Sequence, residues 1–332
     1  MSRFNLLGRI ISLIVVASFF SGCSLTYTIK EPVVSTIDYG TKDITPIILN
    51  IMDMRTVDDA GFIVTRLGPS GDVSNFPITL KNMENPIGYF TQNLEKELKN
   101  RKIPVKCEVG KTATNGLTLE VVRYQIINRR ATGFSPWEAM HIFSGNIIKD
   151  GKKTLIKAFF YGGKTPVWSM NEIEEPCFNI PISIIIKDVA SKINRVVFNY
   201  AAPDEKIDRL TSEISSEIGK TVEGPFWKVL ELGYTNNRKA LEPLKRYSQQ
   251  GEEFFRSCAL SSIGTLGGED QLEFLKQRYS GAMSSFNDRY MAVKAIGDIG
   301  TIEALQFIRE IRKDGAYSKE AGLKYCVDLY VP

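Results

Sequence analysis

Apolar residues fall into two different rhythms along this chain, and the change of rhythm near residue 200 is its main organising feature. Ile47-Ile48-Leu49-Asn50-Ile51-Met52-Asp53-Met54-Arg55 is a nearly continuous apolar run, as in a strand buried on both faces. Asn85 followed by Pro86 marks a helix start, and Ile87, Phe90, Leu94 and Leu98 then recur at helical spacing. Leu117-Thr118-Leu119-Glu120-Val121-Val122-Arg123-Tyr124 alternates like a strand. Two further runs flank Lys149-Asp150-Gly151-Lys152, whose Asp-Gly pair favours a tight hairpin. Ile185, Val189, Ile193, Val196 and Tyr200 form a second helical stripe. The resulting β-α-β-β-β-α order over residues 40–200 predicts an α+β sandwich, two helices on one face of a mainly antiparallel sheet.

Beyond a linker expected at Ala202-Pro203-Asp204 the pattern becomes repetitive. Residues 256–267 align without gaps to residues 289–300 at an offset of 33, with Arg, Ala, Ile and both glycines recurring. Second helical segments start at Leu241, Leu272 and Leu305, and Ile207, Leu210, Ile214 and Ile218 suit an N-terminal cap. A period of this length built from helix pairs predicts a short αα-solenoid over residues 204–332. Gly267 and Gly300 are placed to end their helices with a left-handed turn. These repeats look like HEAT-type repeats of the variety also found in phycobilisome lyases.

The N-terminus has a third rhythm: Arg3 and Arg9, no acid, then an apolar run from Ile10 to Phe20. Charged-then-apolar order is that of a secretory signal, and the run is too short to span a bilayer comfortably. Ser21 and Gly22 are small residues followed by Cys23, and Phe20-Ser21-Gly22-Cys23 resembles the lipobox of bacterial lipoproteins. An ordinary signal peptide cut elsewhere, or an uncleaved anchor, is the alternative. The resemblance implies cleavage between Gly22 and Cys23, removal of residues 1–22, and acylation of Cys23. Residues 23–39 would then be a lipid-anchored linker. Ser24 stands where an Asp would favour inner-membrane retention, so the expected address is the periplasmic face of the outer membrane. The first half, with its strand ending Asp53-Met54-Arg55 and the Gly116 to Val121 strand, resembles the YajG-like group of small bacterial lipoproteins. That resemblance implies an envelope protein of mostly unassigned biochemistry.

With 332 residues and 43% hydrophobic content the chain can bury two ordinary cores. From Cys23 onward 40 basic residues face 38 acidic ones, which gives no nucleic-acid signal. Cys107, Cys177, Cys258 and Cys326 remain beside Cys23 in a compartment that permits disulfides. Cys258 and Cys326 fall two repeat layers apart, about 20 Å at ordinary helix spacing, beyond the ~7 Å reach of a disulfide. They read as small buried residues, whereas Cys107 and Cys177 are a candidate pair at one end of the sandwich.

Candidate chemistry is sparse. His141 is the only histidine and reads as a half-buried structural residue in a strand. No spacing suits zinc or calcium, and Gly162-Gly163-Lys164-Thr165 lacks the first P-loop glycine, Ala158 standing there, so it reads as a turn. Glu172, Glu174 and Glu175 read as a solvated loop, and Asp53 with Arg55 as a structural ion pair. Phe134, Trp137 and Trp168 lie in aromatic-proline loops that could present an apolar binding patch or cover the sheet edge. No cofactor and no enzymatic activity are expected; a lyase is the least favoured reading. The expected function is a membrane-tethered scaffold whose repeats hold an unidentified envelope protein. The alternative is an accessory subunit of an envelope machine that docks through its α+β domain, the repeats only bracing it.

Overall fold

The computed structural model describes residues 25–41, 45–56, 63–67, 78–110, 116–130, 136–165, 170–220, 224–281 and 285–332. Its frame is a six-stranded sheet in the order β5 (Val105–Val109), β2 (Ile47–Asp53), β6 (Leu117–Arg130), β7 (Trp137–Lys149) and β8 (Lys152–Thr165), with β3 (Ile63–Leu67) beside the far end of β6. Strands β6 (Leu117–Arg130), β7 (Trp137–Lys149) and β8 (Lys152–Thr165) form a long antiparallel meander. Asp150 and Gly151 join β7 to β8 with φ of 50° and 74°, the geometry that the Asp-Gly pair permits. Strand β2 (Ile47–Asp53) is parallel to both β5 (Val105–Val109) and β6, so the sheet is mixed rather than mainly antiparallel. A helix between β2 and β5 carries the chain back across the sheet, which sets the two strands parallel. Strand β5, only five residues long, has no counterpart in the expected element order. A separate parallel pair joins β1 (Leu25–Thr28) to β4 (Ile78–Lys81).

Helix α1 (Pro86–Asn100) begins as its sequence predicts: the Asn85 side chain accepts from the Gly88 N–H at 2.9 Å, and Pro86 occupies the first turn. Its stripe Ile87, Phe90, Leu94 and Leu98 is buried. Helix α2 (Ile180–Ile193) behaves differently, being buried on every side from Pro181 to Ile193. One side rests on β7 and β8 beside α1, and the other is covered by the C-terminal helices. A helix buried all round must satisfy its charged residues internally.

The C-terminal half is helical: α3 (Asp204–Glu217), α4 (Phe226–Tyr234), α5 (Leu241–Tyr247), α6 (Glu253–Leu266), α7 (Leu272–Ser280), α8 (Phe286–Ile299), α9 (Ile302–Ile311), α10 (Gly315–Lys319) and α11 (Ala321–Tyr330). Helices α4, α6, α8 and α11 stack in one row, each on the next, while α5, α7 and α9 pack outside it. The row is unusually close. A Cβ on Gly264 would lie 2.3 Å from Ala295 Cα, and one on Gly297 would lie 2.2 Å from the Tyr330 ring. Gly267 and Gly300 follow α6 and α8 with φ of +71° each. Cys258 and Cys326 are buried free thiols within this row.

This row does not project from the sheet half but packs on it. Helices α8 and α11 lie against β8, α4 and α6 against α2, and one hydrophobic core runs through both halves. Ala202, expected in a linker, is buried; its N–H reaches the Thr235 carbonyl at 2.8 Å and its carbonyl accepts from Asn237. The segment expected to be a free linker is likewise part of the body. Tyr27, Ile29, Ser35, Ile37 and Tyr39 are all buried, and Tyr39 donates to the Tyr234 carbonyl at 2.6 Å. Burial alternates with exposure from Thr26 to Lys30 and again from Val34 to Gly40, so both ends of this strap lie on the body, with residues 30–34 exposed or half-buried between them.

Candidate binding groove

The strap, α2, α3 and α4 enclose a groove with a cavity of about 420 Å³. Its apolar lining comes from Val33 and Val34 of the strap, Ile180 of α2, Leu210 of α3 and Trp227 of α4. Lys187 reaches in from α2 with its residue only 3% exposed, and its Nζ sits 4.7 Å from the Trp227 ring centre. It donates to the Val33 carbonyl and, at 2.6 Å, to the Ser183 hydroxyl. Burial pushes the Lys187 ammonium down to about 8, the neighbouring Glu97 opposing that shift.

Charged side chains behind the groove hold the strap in place. Arg101 and Glu97 form a fully buried pair at 2.7 Å, and Arg101 also donates to the Ser35 and Ser191 hydroxyls and the Lys187 carbonyl. Burial alone would raise the Glu97 carboxyl, but Arg101 and Lys187 hold it below its ordinary value. Glu97 accepts the Ser35 N–H at 3.0 Å, and Glu231 of α4 accepts both the N–H and the hydroxyl of Thr36. Lys206 donates to the same hydroxyl at 2.6 Å. Outside, Lys30 pairs with Glu175 and Lys228 with Glu213 and Glu217.

On the far side of α2 lies a second buried cluster. Lys192 bridges Asp188 and Asp298 at 3.0 and 2.9 Å, and Lys294 bridges the same two carboxylates at 3.1 and 2.8 Å. Tyr330 donates to Asp298 at 2.7 Å, and Thr265 to Asp188 at 3.2 Å. Two cations and two anions cancel, and every charge has a partner across the seam between the halves. Burial would raise the Asp298 carboxyl, but Lys192 and Lys294 bring it down to about 2. Such a closed quartet is a joint, not a reactive centre.

The residues singled out from sequence are scattered rather than gathered. Gly22, Cys23, Phe134 and Trp168 lie outside the described residues. Trp137 does not belong to a binding loop: it opens β7 and is 3% exposed. Cys107 and Cys177 do not pair, and both are buried free thiols that burial pushes up to about 12. Cys107 lies on edge strand β5 and Cys177 packs toward β7, three strands away, or about 14 Å at ~4.8 Å per strand. His141 is fully buried rather than half-buried. Its Nε2 lies 2.9 Å from the Cys177 carbonyl, which can only accept, so that nitrogen carries the proton and burial depresses the ring to about 3. Asp53 and Arg55 form the expected pair at 2.9 Å. Residues 162–165 continue strand β8 rather than turning. Glu174 and Glu175 serve the strap, accepting from the Thr28 N–H and the Lys30 ammonium. Among the described residues no cluster of His, Cys, Asp or Glu could hold a metal ion, and no helix is long and apolar enough to cross a membrane.

Lys187, Trp227 and the strap were not singled out from sequence. Their signal was present in α2, where Lys187, Asp188 and Lys192 interrupt an isoleucine-rich helix whose remaining residues leave little polar face. No family model matches the sequence, and no curated protein matches it. Among solved structures, an uncharacterized protein aligns over 52% of this chain and 99% of its own at 9% identity and a TM-score of 0.33. A Xanthomonas campestris protein of the DUF330 family aligns over 50% of this chain and 92% of its own, at 10% identity and a TM-score of 0.33. Likenesses at this level carry no argument about function.

Proposed function

We propose that this chain is a bacterial lipoprotein, tethered through acylated Cys23 to the periplasmic face of the outer membrane, that works by binding an unidentified envelope protein rather than by turnover. The lipobox-like Phe20-Ser21-Gly22-Cys23 supports the anchor. The packed strap supports the tethered geometry: Lys30, at the edge of the groove, is seven residues from Cys23, so its Cα lies within about 25 Å of the Cys23 Cα. The protein body would therefore sit against the membrane surface.

The helical half, read as HEAT-type repeats in two rows, bears on how a partner is held. Its inner row, the surface such arrays commonly offer to ligands, is occupied by α2 and β8 of the same chain. That observation favours the second reading, an accessory subunit of an envelope assembly in which the repeats brace the α+β half and the partner meets the junction between them. Photo-crosslinkers placed at Val33, on the groove, and at Ile302, on the outer row, distinguish the two. Capture of one envelope protein from Val33 alone supports docking at the junction. Capture from Ile302 alone returns the binding role to the repeats, and turnover of an envelope substrate by the purified chain would overturn both.

A further inference from the structure

The outer helices are joined by a contact that recurs along the array. Lys245 of α5 places its Nζ 5.8 Å from the ring centre of Phe274 on α7, and Lys276 of α7 places its Nζ 5.7 Å from that of Phe307 on α9. Each lysine also pairs with the glutamate three residues before it, Glu242 or Glu273, and Lys276 reaches forward to Glu303 in the first turn of α9 at 2.7 Å. On this forward face of α7, Leu272 and Tyr279 are buried, and Tyr279 meets Phe307 edge-on with ring centres 5.7 Å apart. One helix therefore gives a cation, and the next gives a ring and a carboxylate.

Helix α9 carries the same face 33 residues later, as Leu305, Arg309 and Arg312, with Ile302 one turn ahead of it. At about 3.6 residues per turn this face lies opposite Glu303 and Phe307, which look back to α7. Here the contact has no second half. Leu305 is only half-buried, Ile302 is 84% exposed, and exposed Arg309 meets neither a ring nor a carboxylate among the described residues. Gln306 stands where the earlier helices have Glu242 and Glu273, so α9 supplies no acid of its own to Arg309. Arg312 alone is engaged, with Asp328 and the Val331 carbonyl. An array that meets solvent needs a polar closing face, whereas this one offers an isoleucine, a leucine and an unpaired guanidinium. A second copy stacked head to tail would bring α5, whose Pro243 occupies the position of Phe274 and Phe307 and has no ring to give.

We propose that the forward face of α9 docks an amphipathic helix of a partner protein, with an aromatic ring over Arg309, an acid one turn before that ring, and apolar residues against Ile302 and Leu305. This surface is separate from the groove, and a partner can hold either without the other. The probe is a fluorescent peptide copy of residues 301–313, the helix that α7 already accepts, held helical by a staple replacing its Leu305 and Arg309, since so short a helix is marginal alone. Anisotropy of this peptide is titrated with the full chain. The expected result is saturable binding that Arg309→Glu in the chain, at an exposed position that leaves the fold intact, weakens at least about fivefold through loss of a stacked cation and an ion pair. Phe307→Ala in the peptide weakens it likewise, and a Glu303→Lys peptide binds the Arg309→Glu chain more tightly than the unaltered peptide does. Binding that never saturates, that is indifferent to Arg309→Glu and Phe307→Ala, or that is lost on Val33→Arg but not on Arg309→Glu would overturn the proposal. So would self-association of the chain that Arg309→Glu abolishes. In cells, crosslinkers at Val33 and Ile302 are both expected to capture protein, the latter only while Arg309 is intact; capture from Val33 alone would overturn this proposal and leave docking at the junction standing.

Discussion

Lys294→Met tests the joint between the halves. The wild-type ammonium lies 3.1 Å from Asp188 and 2.8 Å from Asp298, with both carboxylate side chains no more than 4% exposed. At an effective dielectric of about 20, one contact near 3 Å is an attraction of about 5 kcal/mol. Loss of two such contacts is offset by relief of the repulsion from Lys192 and by the ammonium no longer being desolvated. What remains is two buried carboxylates sharing one cation. Removal of one partner from a buried pair typically costs about 3–5 kcal/mol, a large part of the ~5–15 kcal/mol that holds a folded domain together. Adding Asp298→Asn restores neutrality, with Lys192 facing Asp188 and the amide oxygen still able to accept from Tyr330. The double variant is therefore expected to be more stable than Lys294→Met alone. Urea unfolding followed by far-ultraviolet circular dichroism and by tryptophan fluorescence measures this, and the two probes coincide if the halves unfold together. A cost below about 1 kcal/mol for Lys294→Met, or further destabilisation by Asp298→Asn, would refute the closed-quartet reasoning.

Other perturbations test separate parts of the structure. The His141 ring has a folded pKa of about 3 against 6.5 in the open chain, so between those values only the unfolded state takes up the proton. Stability should fall as pH drops from 6.5, by at most about 1.4 kcal/mol per pH unit from this residue, and His141→Gln should flatten the profile above pH ~4.5, where carboxylates contribute least. If the slope persists in the variant, the ring is not the group that titrates. Gly297→Ala forces a methyl into the Tyr330 ring and should cost about 1–3 kcal/mol in the same urea assay, whereas a neutral result would mean that α8 and α11 are not in close contact. Alkylation of the denatured chain without reductant should label Cys107, Cys177, Cys258 and Cys326, and unchanged labelling after reduction would agree. Extra labelling only after reduction would restore a disulfide.

How much of this was legible in the sequence depended on whether a residue's neighbours lie near it in the chain. The cap at Asn85-Pro86, the Asp150-Gly151 turn and the α1 stripe are local signals and were read correctly. The offset of 33 residues located the helical segments and the glycines that end α6 and α8. Helix α2 was half-legible: its apolar stripe was found, but the partners of Lys187, Asp188 and Lys192 lie in the strap and in α8, far from them along the chain. The strap read as a linker because it directly follows the lipobox, and its buried residues lie in a stretch short of regular structure. A partly formed groove between segments nearly two hundred residues apart leaves no periodic trace at all.

The central claim is a body held at a membrane by a lipid on Cys23, and mass spectrometry of the mature N-terminal peptide tests it most directly. The account predicts a peptide that begins at Cys23 and carries a diacylglyceryl thioether with an acylated amine. A peptide beginning elsewhere, or an unmodified Cys23, would contradict it.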